Sequence, residues 1–181
     1  PLHLTAAFVI EEGTDTDLLR RIAASMGAAA RAAGVAIVAG DTKVVQRGKG
    51  DGVYITTTGV GRVRDGADVR PQRAAPGDAV IVSGSIGRHG VAVMSVRDGL
   101  RFGSPVESDS APVHGLAAAL FDAGVDVHVL RDPTRGGVAA ALNEIAAASG
   151  TGTLLDDAAI PVDTAVRSAC ALMGIDPLQV A

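Results

Sequence analysis

A chain of 181 residues with 48% hydrophobic content is long enough to bury a core, as one domain or two small ones. A formal net charge of −4 and 2% aromatic content exclude the basic footprint and the stacking platforms of nucleic-acid binding. One cysteine excludes an internal disulfide framework, the N-terminus lacks a signal-peptide pattern, and no apolar run approaches the ~20 residues that span a bilayer. A cytoplasmic protein away from nucleic acid and membrane is expected.

In chain order, Leu2 to Ile10 reads as a strand with Leu4, Ala6, Phe8 and Ile10 on one face. Thr14, with Asp17 three residues on, is the expected cap of a helix in which Leu18, Ile22, Met26, Ala29 and Ala33 recur up to Gly34. Val35 to Ala39, apolar on both sides, reads as a central strand. Val53 to Val63, rich in threonine and β-branched residues, reads as another. Between Arg64 and Asp78 the periodicity breaks at Pro71 and Pro76, which predicts a linker and a division into 1–71 and 72–181. Beyond it, Ala79 to Ser83 reads as a short buried strand. The glycine-rich turn Gly84 to Gly90 opens a helix ending near Asp98, and a polar loop follows over 99–109. Ser110 is the expected cap of a helix closed by Gly124, and Val125 to Leu130 reads as a strand. A helix opened by Thr134 runs to Gly150, residues 153–155 read as a short further strand, and Asp163 caps a last helix ending at Met173-Gly174. The order implies an α/β or α+β fold in two unequal parts, the second with helices covering a sheet.

Two motifs carry the chemistry. Gly40-Asp41-Thr42-Lys43 and Arg131-Asp132-Pro133-Thr134-Arg135-Gly136-Gly137 each follow an apolar run of strand length. Each sets small residues beside a carboxylate, a hydroxyl and a cation where that strand is expected to end. Ligands of α/β proteins collect at strand ends, and free N–H groups with Lys or Arg suit phosphate oxygens. Asp41 is a candidate Mg²⁺ contact, direct or through water, and Lys43 a point charge for phosphates. The same residues also make an ordinary solvated turn. Asp132 or Thr134 can cap the following helix, and Gly136 and Gly137 remove side chains at its start. Arg135 can clamp a phosphate or serve a structural ion pair. The glycines of 84–90 fit neither a dinucleotide fingerprint nor a P-loop, so they read as a tight turn, with His89 a surface or packing residue. His3, His114 and His128 show no ligand spacing with one another or with Cys170, which reads as a buried structural thiol. Asp156 and Asp157 read as a solvated turn.

GDTKVV at 40–45 and DPTRGG at 132–137, in this order and separation, resemble the hydrogenase maturation proteins of the HypE type, which belong to the PurM-like group of ATP-using enzymes. Similar text at 8–13, 76–78, 83–84 and 160–162 extends the resemblance over nearly the whole chain. It implies that 1–71 is the C-terminal part of the ATP-binding, dimerising N-terminal domain, and that 72–181 is a truncated C-terminal domain. It places Gly40, Asp41, Thr42, Lys43, Thr134, Arg135, Gly136 and Gly137 at an ATP site, with Asp41 also on Mg²⁺. It implies a homodimer sharing a β-barrel. The implied activity is ATP-dependent dehydration of a carbamoyl group on a C-terminal cysteine to a thiocyanate, the source of cyanide ligands for the iron of [NiFe] hydrogenase. The implied partners are a carbamoyltransferase and the iron-scaffold maturation proteins. The family's metal-binding loops would precede Leu2, and its Asn-Glu-Gly stretch and terminal cysteine would follow Ala181. The chain therefore reads as a central fragment, expected to be catalytically silent. Selenophosphate synthetase, thiamine monophosphate kinase and aminoimidazole ribonucleotide synthetase share the scaffold. Lys43 after Gly-Asp-Thr, and the Pro-Thr-Arg of the second motif, favour the HypE type over them. A non-catalytic dimerising module of the same fold is the remaining alternative.

Overall fold

The computed structural model describes residues 3–97, 99 and 105–181. The expected strand start at Leu2, the helix end near Asp98 and residues 100–104 of the polar loop lie outside them. The chain divides into two units, one of residues up to 67 with 112–115, the other of 68–111 with 116–181.

The first unit is a three-stranded sheet with one helix. Strand β1 (His3–Glu11) leads through helix α1 (Thr16–Ala32) to β2 (Ala36–Val45), and β3 (Val53–Val60) follows. The order is β2–β1–β3, with β1 parallel to β2 and antiparallel to β3. A parallel pair needs a crossover, and α1 provides it. Asp15 caps α1 by accepting the Asp17 N–H at 2.9 Å, whereas the predicted cap, Thr14, donates its hydroxyl to the Glu11 carbonyl at 2.7 Å. The half-buried stripe of α1 is Leu19, Ile22, Met26, Ala30 and Ala33, while Leu18 and Ala29 of the expected stripe are exposed.

Three expectations for this unit change. The central strand is β1, and β2 is an edge strand exposed as far as Val44. An apolar run reports extended chain, but rank in a sheet is decided by which backbone finds two partners. β2 also continues to Val45 instead of ending at Ala39, and β3 ends at Val60 rather than Val63.

The second unit is mainly helical: α2 (Arg88–Arg97), the C-terminal part of α3 (His114–Asp122), α4 (Gly137–Ser149) and α5 (Thr164–Met173). Single 3₁₀ turns sit at Pro71–Arg73, Asp157–Ala159 and Pro177–Gln179. Val91 of α2, with Val166, Ala169 and Cys170 of α5, forms the core together with Val180. Met94, Val106, Val162, Met173 and Ile175 close over it. Burial pushes the Cys170 thiol up, as the structural role requires. Among the described residues this unit contains no strand, so the expected strands at 79–83, 125–130 and 153–155, and the sheet they were to form, are absent there. Val80, Ile81, Val125, Leu130 and Leu154 are exposed. A run of apolar residues makes chain extended, but only a neighbouring backbone makes it a ladder.

Two helix starts also shift, and a third expected side-chain cap does not form. Ser110 does not cap α3, which begins at His114, and Thr134 does not open α4, whose N-cap is Gly136. Asp163 is the N-cap residue of α5, but its carboxylate accepts the Ser85 hydroxyl at 2.6 Å and pairs with Arg88 at 3.5 Å instead of capping.

Candidate functional site

The first motif lies inside β2, paired with β1 on both sides of it, and not beyond a strand end. Glycine and aspartate are poor strand formers, so the sequence suggests a turn; the ladder to β1 overrides that preference. The register slips between Leu4 and Thr5, placing Gly40 opposite Ala6. A Cβ on Gly40 would collide with the Ala6 carbonyl oxygen, so this glycine lets the two backbones approach.

Past Gly40 the strand alternates. Asp41 and Lys43 pair with Ala7 and Val9, and Thr42 with Phe8. Side chains two apart share a face, so Asp41 and Lys43 stand together, and Thr42 stands on the other side. Their face continues across β1 to Thr56 and Tyr54 of β3. Both Asp41 and Lys43 are exposed. Asp41 Oδ1 accepts the Thr42 N–H at 2.8 Å, leaving its second oxygen without a hydrogen-bond partner among the described residues. Asp41 and Thr42 also border an open concavity of about 340 Å³ with Ala6, Phe8, Ile37 and Gly40.

These residues fit Mg²⁺ in one way only. Among the described residues no group of three or more His, Cys, Asp or Glu side chains can hold a metal ion. A self-sufficient cage is therefore absent there. A single carboxylate sharing the ion with phosphate oxygens and water suits Mg²⁺, and Asp41 has the oxygen to do it.

The second motif divides its residues between structure and surface. Arg131 pairs with Glu144 of α4 at 3.0 Å, which fixes the loop to the helix it precedes. Gly136, the N-cap residue, has no side chain with which to cap, and neither Asp132 nor Thr134 does so in its place. Gly137 is buried at φ 59°, and a Cβ there would strike the Leu178 carbonyl oxygen and lie 2.8 Å from Gln179 C and Val180 N. The Leu178–Val180 backbone therefore packs where a side chain at 137 would stand. Thr134, Arg135 and Gly136 instead line an open cleft of about 400 Å³ with His89, Val93 and Met94. Arg135 has no ion-pair partner among the described residues. His89 is exposed, as expected, with Nδ1 2.8 Å from the Ser108 hydroxyl.

Sequence reasoning missed a polar cluster in the second unit. Arg73 donates to Asp126 at 2.7 Å, and the His128 ring lies between Asp78 and Asp126. Asp78 and His128 are fifty positions apart, and no spacing signal links them. The only sequence hint is Asp126 and His128 two apart on extended chain, which sets them on one side.

The description "AIR synthase related protein, C-terminal domain" matches residues 75–181, and its N-terminal counterpart matches 1–63. "Carbamoyl dehydratase HypE" of Rhizobium leguminosarum bv. viciae is 57% identical over 182 residues, covering 100% of this chain and 52% of that protein. A crystal structure of a HypE–HypF complex superposes with a TM-score of 0.97 at 52% identity, covering 100% of this chain and 59% of that one. HypE in complex with ATP gives a TM-score of 0.97 at 49% identity, over 100% of this chain and 54% of the other. The chain spans about half the length of the curated relatives it matches. Matched in order by both domain descriptions, with the PurM-like fold this brings, the chain belongs to the AIR synthase related protein family.

Proposed function

We propose that this chain contributes part of the nucleotide site of an ATP-dependent carbamoyl dehydratase. That enzyme converts a carbamoyl group on a C-terminal cysteine into a thiocyanate for the iron–cyanide centre of [NiFe] hydrogenase. The observation that carries the reading is the 57% identity to a carbamoyl dehydratase HypE over the full length of this chain. The ATP-bound HypE structure at 49% identity supports the nucleotide. In this reading residues 1–71 belong to the nucleotide-binding, dimerising domain and 72–181 to the C-terminal domain.

ATP, when bound, supplies the phosphoryl group that makes the carbamoyl oxygen a leaving group. The chain's own residues bind and orient. Lys43 would offer its ammonium to phosphate oxygens, and Asp41, on the same face, would help hold Mg²⁺ with its free carboxylate oxygen. Gly40 and Thr42 shape the strand that presents these two. Thr134, Arg135 and Gly136 offer a guanidinium and backbone donors on the second unit, and Gly137 anchors that loop. The partners are a second copy of the chain, a carbamoyltransferase, for which the HypE–HypF complex is the support, and an iron scaffold that accepts the cyanide. The compartment is the cytoplasm. No helix among the described residues is long and apolar enough to cross a membrane.

Calorimetric titration of Mg-ATP into the whole protein tests the reading. Lys43→Ala is expected to weaken binding about tenfold, the ~1.4 kcal/mol of one charge-assisted contact, with the circular dichroism unchanged because the side chain is exposed. Unchanged affinity would return Lys43 to the surface and remove the first motif from the site.

A further inference from the structure

Within the second unit, two stretches without regular strands are held together by charge. One runs from Asp68 to Asp78, including the 3₁₀ turn at Pro71–Arg73; the other runs from Val125 to Leu130 and leads directly into the Arg131–Gly137 loop. One backbone bond joins them, from Arg70 N–H to the His128 carbonyl at 3.0 Å. The Arg73 guanidinium adds bonds to Asp126 Oδ1 at 2.7 Å and to the Val127 carbonyl at 3.3 Å, while holding the Asp68 carbonyl at 2.6 Å.

His128 completes the junction, and it is the member whose charge can change. Its Nδ1 lies 2.8 Å from Asp78 Oδ2, and its Nε2 lies 3.2 Å from Asp126 Oδ2. A carboxylate can only accept, and a neutral imidazole has one N–H, so only the imidazolium satisfies both contacts. Neither carboxylate depends on the ring alone: Asp78 also accepts the Ala75 N–H at 2.9 Å, and Asp126 has Arg73. Asp78 and Asp126 face the ring, Arg73 pairs with Asp126, and Asp68 and Arg70 complete the cluster through Arg73. α4 packs on the Pro71–Arg73 turn, and its one charged residue, Glu144, is engaged by Arg131. With His128 protonated the cluster is neutral; with it deprotonated, one carboxylate is left in excess.

We propose that His128 is a proton-operated clasp that pins the 125–130 stretch, and the Arg131–Gly137 loop it carries, to the 68–78 stretch of the second unit. The two carboxylates hold the imidazole above its ordinary 6.5; the Ala75 N–H and then the ring lower Asp78, and Arg73 and then the ring lower Asp126. As pH rises through the raised histidine value, the bond to Asp78, the one tie His128 makes to the 68–78 stretch, loses its charge assistance. The ring's lone pair then meets Asp126 of its own stretch, and that repulsion works against the ring's position, so one of the three side-chain ties between the stretches is weakened. The consequence for ligands rests on the reading of Thr134 to Gly136 as a phosphate-binding loop; the clasp itself does not.

Amide hydrogen exchange over residues 125–137, corrected for intrinsic rates, tests the proposal without any nucleotide, beside an NMR titration of the His128 ring. Protection of 125–130 is expected to fall several-fold as pH rises through the His128 titration. His128→Gln should give low protection with no pH step, and Asp126→Asn should shrink the step while keeping the fold through Arg70 and Asp78. A ring that titrates at or below 6.5, or a protection step that survives in His128→Gln, would overturn the clasp. Failure of Mg-ATP to depend on Lys43 would leave it untouched.

Discussion

Gly137 is the residue on which the second motif turns. The sequence offers Gly136 and Gly137 as one feature, an emptied helix start, yet the second glycine is packed against the Leu178–Val180 backbone at a positive φ. Gly137→Ala therefore combines left-handed strain with a collision that no side-chain rotation relieves. Loss of about 2–4 kcal/mol from the second unit is expected, read as a lower urea midpoint at unchanged slope. Gly84→Ala is the control from the other glycine-rich stretch. A Cβ there meets nothing within 4 Å and the backbone needs no positive φ, so its effect should stay within about 0.5 kcal/mol. Equal losses in the two variants would mean that glycine content, not the close approach at 137, sets the cost.

At the scale of elements, one carboxylate fixes the connection between β2 and β3. Glu11, the last residue of β1, accepts the Gly48 and Gly52 N–H groups at 2.5 and 3.2 Å, and the Arg47 charge lies nearby. The backbone bonds hold its carboxyl below the ordinary 4.5. A carboxylate lowered in the folded state stabilises it above the unfolded value, and that contribution is lost as pH falls through the folded value. Thermal stability of the first unit should therefore drop below pH ~4.5, and Glu11→Gln should flatten that limb. A limb of the same height in the variant would place the effect elsewhere. These elements also show what the sequence carries and what it does not. β1, α1 and β3 were legible because alternation, a 3.6-residue stripe and Gly34 all report local conformation. The rank of β2 was not, since pairing with β1 is decided 33 to 34 positions away. Its passage through Gly40 and Asp41 was hidden for the same reason. In the second unit, 79–83, 125–130 and 153–155 have the composition of strands without ladder partners among the described residues. Of the candidate site, Asp41, Lys43 and Arg135 are put forward by residue type alone. The reason for Gly40, the burial of Gly137 and the tie of His128 to Asp78 all depend on contacts remote in sequence.

For the whole molecule, the first unit presents a problem that a single copy does not solve. Three strands carry one helix, both outer strands are edges, and apolar side chains along them stay in water: Val44 is 59% exposed, Tyr54 52% and Val60 61%. Exposed edges and apolar sheet surface invite another chain, and a closed pair made with the same surface on each copy is the commonest arrangement that removes both. Self-association through this sheet is therefore expected, with dimers by sedimentation at concentrations on the order of 10 μM. Val44→Lys separates this from chance aggregation. The residue lies on edge strand β2 and is already largely in water, so a charge there costs the single copy little. In a pair it would be buried without a partner, which is strongly unfavourable. The variant should sediment as a monomer with an unchanged melting profile at low concentration. A wild type that is monomeric throughout, or a Val44→Lys variant that still dimerises, would show that the β2 edge is not the contact surface.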